Sequence, residues 1–325
     1  MDFGLTLPNR GVLFGATTTD EMLDLAGKAD ASGMFRSVWV GDSLLGKPRP
    51  ESITLLAAIA ARTRNVRFGP ACMASFPLRD PILLAQQWAT LDLISGGRSV
   101  LVTCTGIIPL IGGKIEAELY GVSKRDRVER LIEGMEILKL LWTEDDVTYE
   151  GKHYRFSNIT MEPKPAAKPR PPIWLANNAM GERAVIERTH QRVIDYADGW
   201  QTSLADHDDV RWRIEDIRAK AEASGVDPDG LAYHAYHNCH VSESRETSRE
   251  EAKRFLDAYY TGDFPAKRVN EWVAAGTPEQ CVEHLHALEE LGFTEVTMRM
   301  PSWDQQGQYE RLAGEVLPLY RERYG

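Results

Sequence analysis

A chain of 325 residues, 43% hydrophobic and 26% charged, has room for one large core and is ordinary for a globular enzyme. Its formal charge of −10 argues against a nucleic-acid partner: the most basic run, Arg125 to Arg130, alternates with Asp126 and Glu129 and reads as a solvated helix face. No stretch reaches the roughly 18 apolar residues of a membrane helix, no charged leader precedes an apolar segment, and Cys72, Cys104, Cys239 and Cys281 form no CxxC pair, so a reduced, cytoplasmic protein without disulfides or zinc is expected.

Short apolar runs alternate with longer amphipathic stretches along most of the chain. Phe3–Leu7 reads as a strand, as does Val38–Val40, which is followed by a helix over Ser52–Arg62. Val66–Met73 is the third strand and Pro81–Ile94 its helix; Ser99–Cys104 is the fourth, with helical periodicity over Arg127–Trp142. Thr143 to Pro172 breaks the rhythm. It reads as a hairpin around Glu150-Gly151-Lys152 and a Pro/Lys-rich extended return, an insertion after the fourth helix within a single domain spanning 1–325. The alternation resumes with strands at Ile173–Ala176, Gly199–Gln201, Tyr233–Val241 and Glu295–Met300, and helices at Glu182–Tyr196, Val210–Ser224 and Glu279–Leu291. Thr261 to Thr277 reads as irregular. Eight β/α units without an early Gly-rich dinucleotide turn predict a closed (β/α)8 TIM barrel over an open sheet.

In such a barrel the reacting groups stand at the C-terminal ends of the strands. The candidates there are Asp42 and Ser43, Ala71 to Ser75, Cys104 to Gly106, Asn177 to Gly181, Trp200 to Thr202, Tyr236 to His240, and Arg299. Only Asp42 is a carboxylate, too few for an octahedral metal. His234, His237 and His240 resemble a metal set, but strand alternation puts His237 on the helix-facing side and the others inside the barrel, with His240 nearest the mouth. Asn177-Asn178-Ala179-Met180-Gly181 follows a strand and is expected to open a helix, a natural phosphate site. Thr277 with Pro278 reads as a plain helix cap, and Cys104 as a small buried hydrophobe.

Ser37-Val38-Trp39-Val40-Gly41-Asp42, Val66-Arg67-Phe68-Gly69, Pro81-Ile82-Leu83-Leu84-Ala85, Leu91-Asp92-Leu93-Ile94-Ser95-Gly96-Gly97-Arg98, Glu118-Leu119-Tyr120-Gly121-Val122, Pro171-Pro172-Ile173-Trp174-Leu175-Ala176, Ala197-Asp198-Gly199-Trp200 and Gly276-Thr277-Pro278-Glu279-Gln280-Cys281 together resemble the luciferase-like monooxygenase family over nearly the whole chain. The resemblance implies a flavin-type ring in the barrel mouth over a non-prolyl cis peptide at about Ala71-Cys72. Its phosphate would lie at Asn177, Asn178, Ala179 and Gly181, with Thr105 and Trp200 also at the cofactor. Ser43 stands where many members carry a histidine, which leaves Asp42, Ser43 or His240 for that role. The fourth strand ends in Thr103-Cys104-Thr105-Gly106 in place of a Gly-rich turn.

The activity so implied is a monooxygenase that receives reduced FMN, supplied by a flavin reductase, and uses O2 on a small organic substrate. The rivals are F420-dependent hydride transfer without O2 and a flavin-binding protein without turnover. An unrelated aldolase or hydrolase barrel would need a strand-end lysine or carboxylate cluster. The resemblance and the apolar circumference of Ser52–Arg62 together imply a two-fold homodimer, with Leu56, Ile59 or Ala60 meeting Pro81 to Trp88.

Overall fold

The computed structural model describes residues 1–106 and 111–325. In chain order the elements are β1 (Asp2–Leu7), α1 (Thr19–Ser32), β2 (Ser37–Val40), α2 (Ser52–Arg62), β3 (Arg67–Pro70), α3 (Pro81–Ser95), β4 (Leu101–Thr103), α4 (Ile111–Tyr120) and α5 (Lys124–Thr143). There follow β5 (Val147–Glu150), β6 (Arg155–Ile159), β7 (Ile173–Ala176), α6 (Arg183–Tyr196), β8 (Gly199–Thr202), α7 (His207–Ala223), β9 (Ala232–Val241) and α8 (Arg245–Tyr260). The last are α9 (Ala266–Trp272), β10 (Val273–Gly276), α10 (Pro278–Glu290), β11 (Glu295–Arg299), α11 (Gln305–Arg311) and α12 (Leu317–Tyr324).

Eight parallel strands stand in the order β3-β2-β1-β11-β9-β8-β7-β4, and bridges Phe68↔Ser99 and Met73↔Thr103 join β3 to β4. The ring is the TIM barrel that the alternation predicts. Gly69 lies at the closing seam, where a Cβ would run into the Val100 carbonyl and the Trp39 ring. Any other residue would push β4 away.

Strand alternation sorts two cores. Phe3, Leu5 and Leu7 pack outward on the helices, while Thr6 faces inward and shares a 2.8 Å hydrogen bond with Thr297. Inside the barrel Trp39, Trp174 and His234 form one aromatic layer, with centroids 4.8 to 5.4 Å apart. Below it Glu295 pairs with Arg67 at 2.6 Å and accepts from Ser37. The helices begin on local signals: capping boxes at Thr18/Glu21, Ser123/Asp126 and Thr277/Gln280, and Asp80 capping α3 with Pro81 at its first position. None of the described helices is long and apolar enough to cross a membrane.

The hairpin forms where the sequence places it, as antiparallel β5 and β6 outside the barrel. Its turn sits on α5, where Glu133 accepts from the backbone N–H groups of Lys152, His153 and Tyr154. Asp92 of α3 holds the Pro-rich return by accepting from Ala167 N at 2.8 Å. Thr261 to Thr277 is more regular than expected: it contains α9 and β10, and β10 pairs with the far half of β9 from Asn238 to Val241. That far half leaves the ring. Leu56, Ile59 and Ala60 are fully buried within their own chain, which corrects the expectation that they face a partner.

Candidate active site

The mouth of the barrel divides into two halves of different chemistry. One is built on β3, β4, β7 and β8. Past β3 the Ala71-Cys72 peptide is cis and non-prolyl, at the position the resemblance implies. The neighbouring Cys104 side chain past β4, then burial, pushes the Cys72 thiol well above the usual range. Cys72 is therefore not set up as a thiolate. Thr105 lies beside them, its carbonyl accepting from Arg127 Nη1 of α5 at 3.3 Å. Arg127 is itself buried and pairs with Glu116 of α4 at 3.3 Å.

On the same half, Asn177 follows β7 and its Oδ1 accepts from Ala179 N at 2.8 Å, closing an Asx turn. The helix opens at Arg183, within one residue of the expected Glu182, and Gly181 with φ 107° stands in the turn before it. Glu182, the N-cap, makes no side-chain cap bond. Among the described residues the first-turn N–H groups of Arg183 and Ala184 have no partner. Two buried side-chain donors nearby also lack one: Asn177 Nδ2, and Nη1 of Arg213 of α7, whose Nη2 donates to the Ala179 carbonyl at 2.9 Å. Unsatisfied donors around a helix start fit an incoming phosphate.

Other residues singled out from the sequence are occupied by structural work. Asp42 accepts from Ser52 Oγ and Ser75 N, both at 2.7 Å, and so ties the end of β2 to α2 and to the segment after β3. Ser43 Oγ accepts from Lys47 N at 2.8 Å and shapes the loop between them. Asn178 is a strut, accepting from Thr202 Oγ1 and Ser203 N and donating to Ser203 Oγ. Trp200, expected at the cofactor, does not face the mouth: fully buried, it stacks on Phe293 at 6.2 Å, because its neighbour Gln201 takes the inward side and meets His234 at 2.8 Å. Burial pushes His234 down to about 3, so it is neutral. His240 is corrected too. It lies where β9 has left the ring, fully buried, with Ser248 at 3.0 Å and Glu251 at 2.9 Å, both from α8. His237 faces outward as expected and meets His284 of α10 at 2.8 Å.

The second half, on β1, β2, β9 and β11, holds residues that sequence reasoning mostly missed. Asn238 accepts from Arg299 Nε at 3.0 Å, and Arg299 is ringed by Tyr236, Tyr259, Tyr260 and Trp272. Lys47 and Arg49, on the loop after β2, lean over Tyr260 and Tyr259. Burial, then neighbouring Arg49, lowers Lys47 to about 8. Glu116 fixes that loop by accepting from Leu45 N and Gly46 N.

A model of the luciferase-like monooxygenase family matches residues 1–295. The chain belongs to that family. Its relatives are oxidoreductases, and it is one too. Among similar proteins, the F420-dependent glucose-6-phosphate dehydrogenase of Microbacterium testaceum (strain StLB037) is 27% identical over 331 residues, 94% of either chain. The FMNH(2)-dependent dimethylsulfone monooxygenase of Pseudomonas putida is 28% identical over 180 residues, 54% of this chain and 45% of its own. The crystal structure of monooxygenase RslO1 from Streptomyces bottropensis superposes with TM-score 0.81 at 24% identity, covering 98% of this chain and 100% of that one, which establishes a shared fold.

Proposed function

We propose that the protein is a cytoplasmic F420-dependent oxidoreductase that exchanges hydride with a small organic substrate without O2. The observation that carries this choice is coverage: the relative named for F420 aligns along 94% of both chains, whereas the relative named for FMNH2 aligns along 54% of this one. The deazaflavin would supply the carbon that takes up or gives the hydride. The residues of the first half suit its phosphate: the N–H groups of Arg183 and Ala184, Asn177 Nδ2 and Arg213 Nη1 are donors that lack a partner within the described chain. Ala71, Cys72 and Thr105 line that half, above the Trp39 and Trp174 layer that keeps water from below. Asp42 holds the β2 end and the segment after β3 in register. Lys47, near 8, can hold or release a proton at Nζ close to neutral pH.

The test is a fluorescence titration of the purified protein with F420 and with FMN. F420 should bind and Asn177→Asp should weaken it at least about tenfold, since a carboxylate some 4 Å from a phosphate costs about 4 kcal/mol before screening at an effective dielectric of 20. Binding of FMN alone would overturn the reading. The second reading is the FMN- and O2-dependent monooxygenase, fed by a flavin reductase, and the Pseudomonas putida relative supports it. Substrate-dependent O2 uptake with reduced FMN would establish it.

A further inference from the structure

Four cations gather on the second half of the mouth, and among the described residues none of them is ion-paired to a carboxylate; Glu116, which holds the Lys47 loop, is paired with Arg127. Arg10 follows β1, Lys47 and Arg49 follow β2, and Arg299 ends β11, so they come from three neighbouring strands of the ring. Arg49, Arg299 and Arg10 act on Lys47 as like charges beside the Tyr259 phenol, and the nearest polar groups around Arg299 are the phenols of Tyr236, Tyr260 and Tyr259. The segment outside the described residues, Ile107-Ile108-Pro109-Leu110, brings no charge either. Elsewhere the chain pairs its buried cations: Arg127 with Glu116, and Arg213 with Asp209.

Aromatic faces hold this group together. The Arg299 guanidinium lies 4.1 Å from the Tyr259 centroid and 5.5 to 5.6 Å from those of Tyr236, Tyr260 and Trp272, and is fully buried. Lys47 Nζ stands 4.5 Å over Tyr260, and Arg49 Nη1 donates to Tyr259 Oη at 3.4 Å. Gly41 leaves the room: a Cβ there would run into the Arg49 guanidinium. Arg10 donates through Nη1 to the Pro48 carbonyl at 3.0 Å. Two buried donors are unspent, Arg10 Nε and Arg299 Nη1. Ring faces attract cations but do not neutralise them, and like charges drawn together out of water are costly until an anion joins them.

We propose that Arg10, Lys47, Arg49 and Arg299 form a binding site for the anionic group of the substrate, a carboxylate, sulfonate or phosphate, across the mouth from the cofactor half. This rests on the oxidoreductase reading for the word substrate. The site itself stands on the cluster. Its position explains how one end of a small molecule could be gripped while the other end faces the Ala71-Cys72 side. Guanidinium groups offer paired donors to such oxyanions, and Lys47 adds a movable one.

The experiment titrates cofactor-free protein calorimetrically with inorganic phosphate and with sulfate at constant ionic strength. Saturable binding at this cluster is expected, distinguished from any binding at the phosphate donors of the first half by its loss in variants of the cluster. Lys47→Met and Arg49→Gln, at half-buried positions, should each weaken phosphate at least about tenfold, which is the loss of one charge-assisted contact. Lys47→Arg should retain it. Arg299→Gln should abolish it; if that protein does not fold, the first two variants decide. No saturable binding, or binding unchanged in both variants, overturns the site. A parallel titration with F420 and FMN separates the sources of the anion. Unchanged cofactor affinity in Lys47→Met and Arg49→Gln assigns the anion to substrate, while a parallel loss assigns the cations to a cofactor tail and overturns the proposal. Phosphate binding by a protein that takes neither cofactor leaves the anion site standing and removes the function proposed above.

Discussion

Lys47 is the residue on which pH acts most directly at the mouth. Its folded value near 8 lies below the ordinary 10.5, so between those values the unfolded chain holds more protons and stability rises with pH as the penalty of the buried charge is relieved. Anion binding runs the other way. As pH climbs through 8 the site loses one cation, so sulfate affinity should fall from pH 7 to pH 10, with the midpoint shifted above 8 in the complex. In Lys47→Arg the fall should vanish, because arginine keeps its charge. Calorimetry over that range checks both; a flat profile in the parent protein would place Lys47 outside the site. None of this was legible as a motif. Arg10, the Lys47 and Arg49 pair, Tyr259 and Arg299 are far from one another in sequence and meet only because strand ends and the end of α8 converge. Strand parity was legible and served well for His234 and His237, but it failed for His240 and Trp200. His240 lies where β9 has left the ring, and Trp200 takes the outward side of β8.

At the scale of elements, Ser95-Gly96-Gly97-Arg98 shows how a recognisable run does mechanical work. Gly96 caps α3 in the left-handed region at φ 68°, and the chain turns so that Arg98 faces the end of α2. Its guanidinium then donates to the carbonyls of Ala60, Thr63, Val66 and Ser95 and to Thr63 Oγ1. One side chain thus closes the C-terminal ends of two helices beneath the seam of the barrel. Arg98→Met keeps the stem but strands those acceptors, at about 1–3 kcal/mol for each one left buried without water. The expected net loss is about 3 kcal/mol because Arg98 is only half-buried, and chemical denaturation should show it with little change in cofactor affinity. The eight strands and six of the helices could be read from apolar periodicity and caps. Val273-Ala274-Ala275-Gly276 could not, since it is short and has no alternation, and only its pairing with β9 makes it a strand. The start of α6 was legible to within one residue, whereas the positive φ of Gly181 in the turn before it is something a sequence does not announce.

For the whole molecule, α2 offers a homodimer no apolar surface at Leu56, Ile59 or Ala60. The apolar circumference of α2 is covered by its own barrel, with Leu56, Ile59 and Ala60 fully buried, so the sequence pattern was real but its partner is internal. On the neighbouring α3, Leu83 is 55% exposed and Ile94 53%. Eleven residues at 100° each return to within about 20° of the starting direction, so these two share one stripe three turns apart. An exposed apolar stripe on a rigid barrel helix next to α2 suits an isologous contact, in which each copy lays its α3 on the other's. The expected mass by light scattering at micromolar concentration is twice the chain's. Leu83→Glu with Ile94→Glu should return the monomer without loss of the fold, because both side chains point away from the core. A monomeric parent protein, or a dimer indifferent to that double substitution, would remove α3 as the interface.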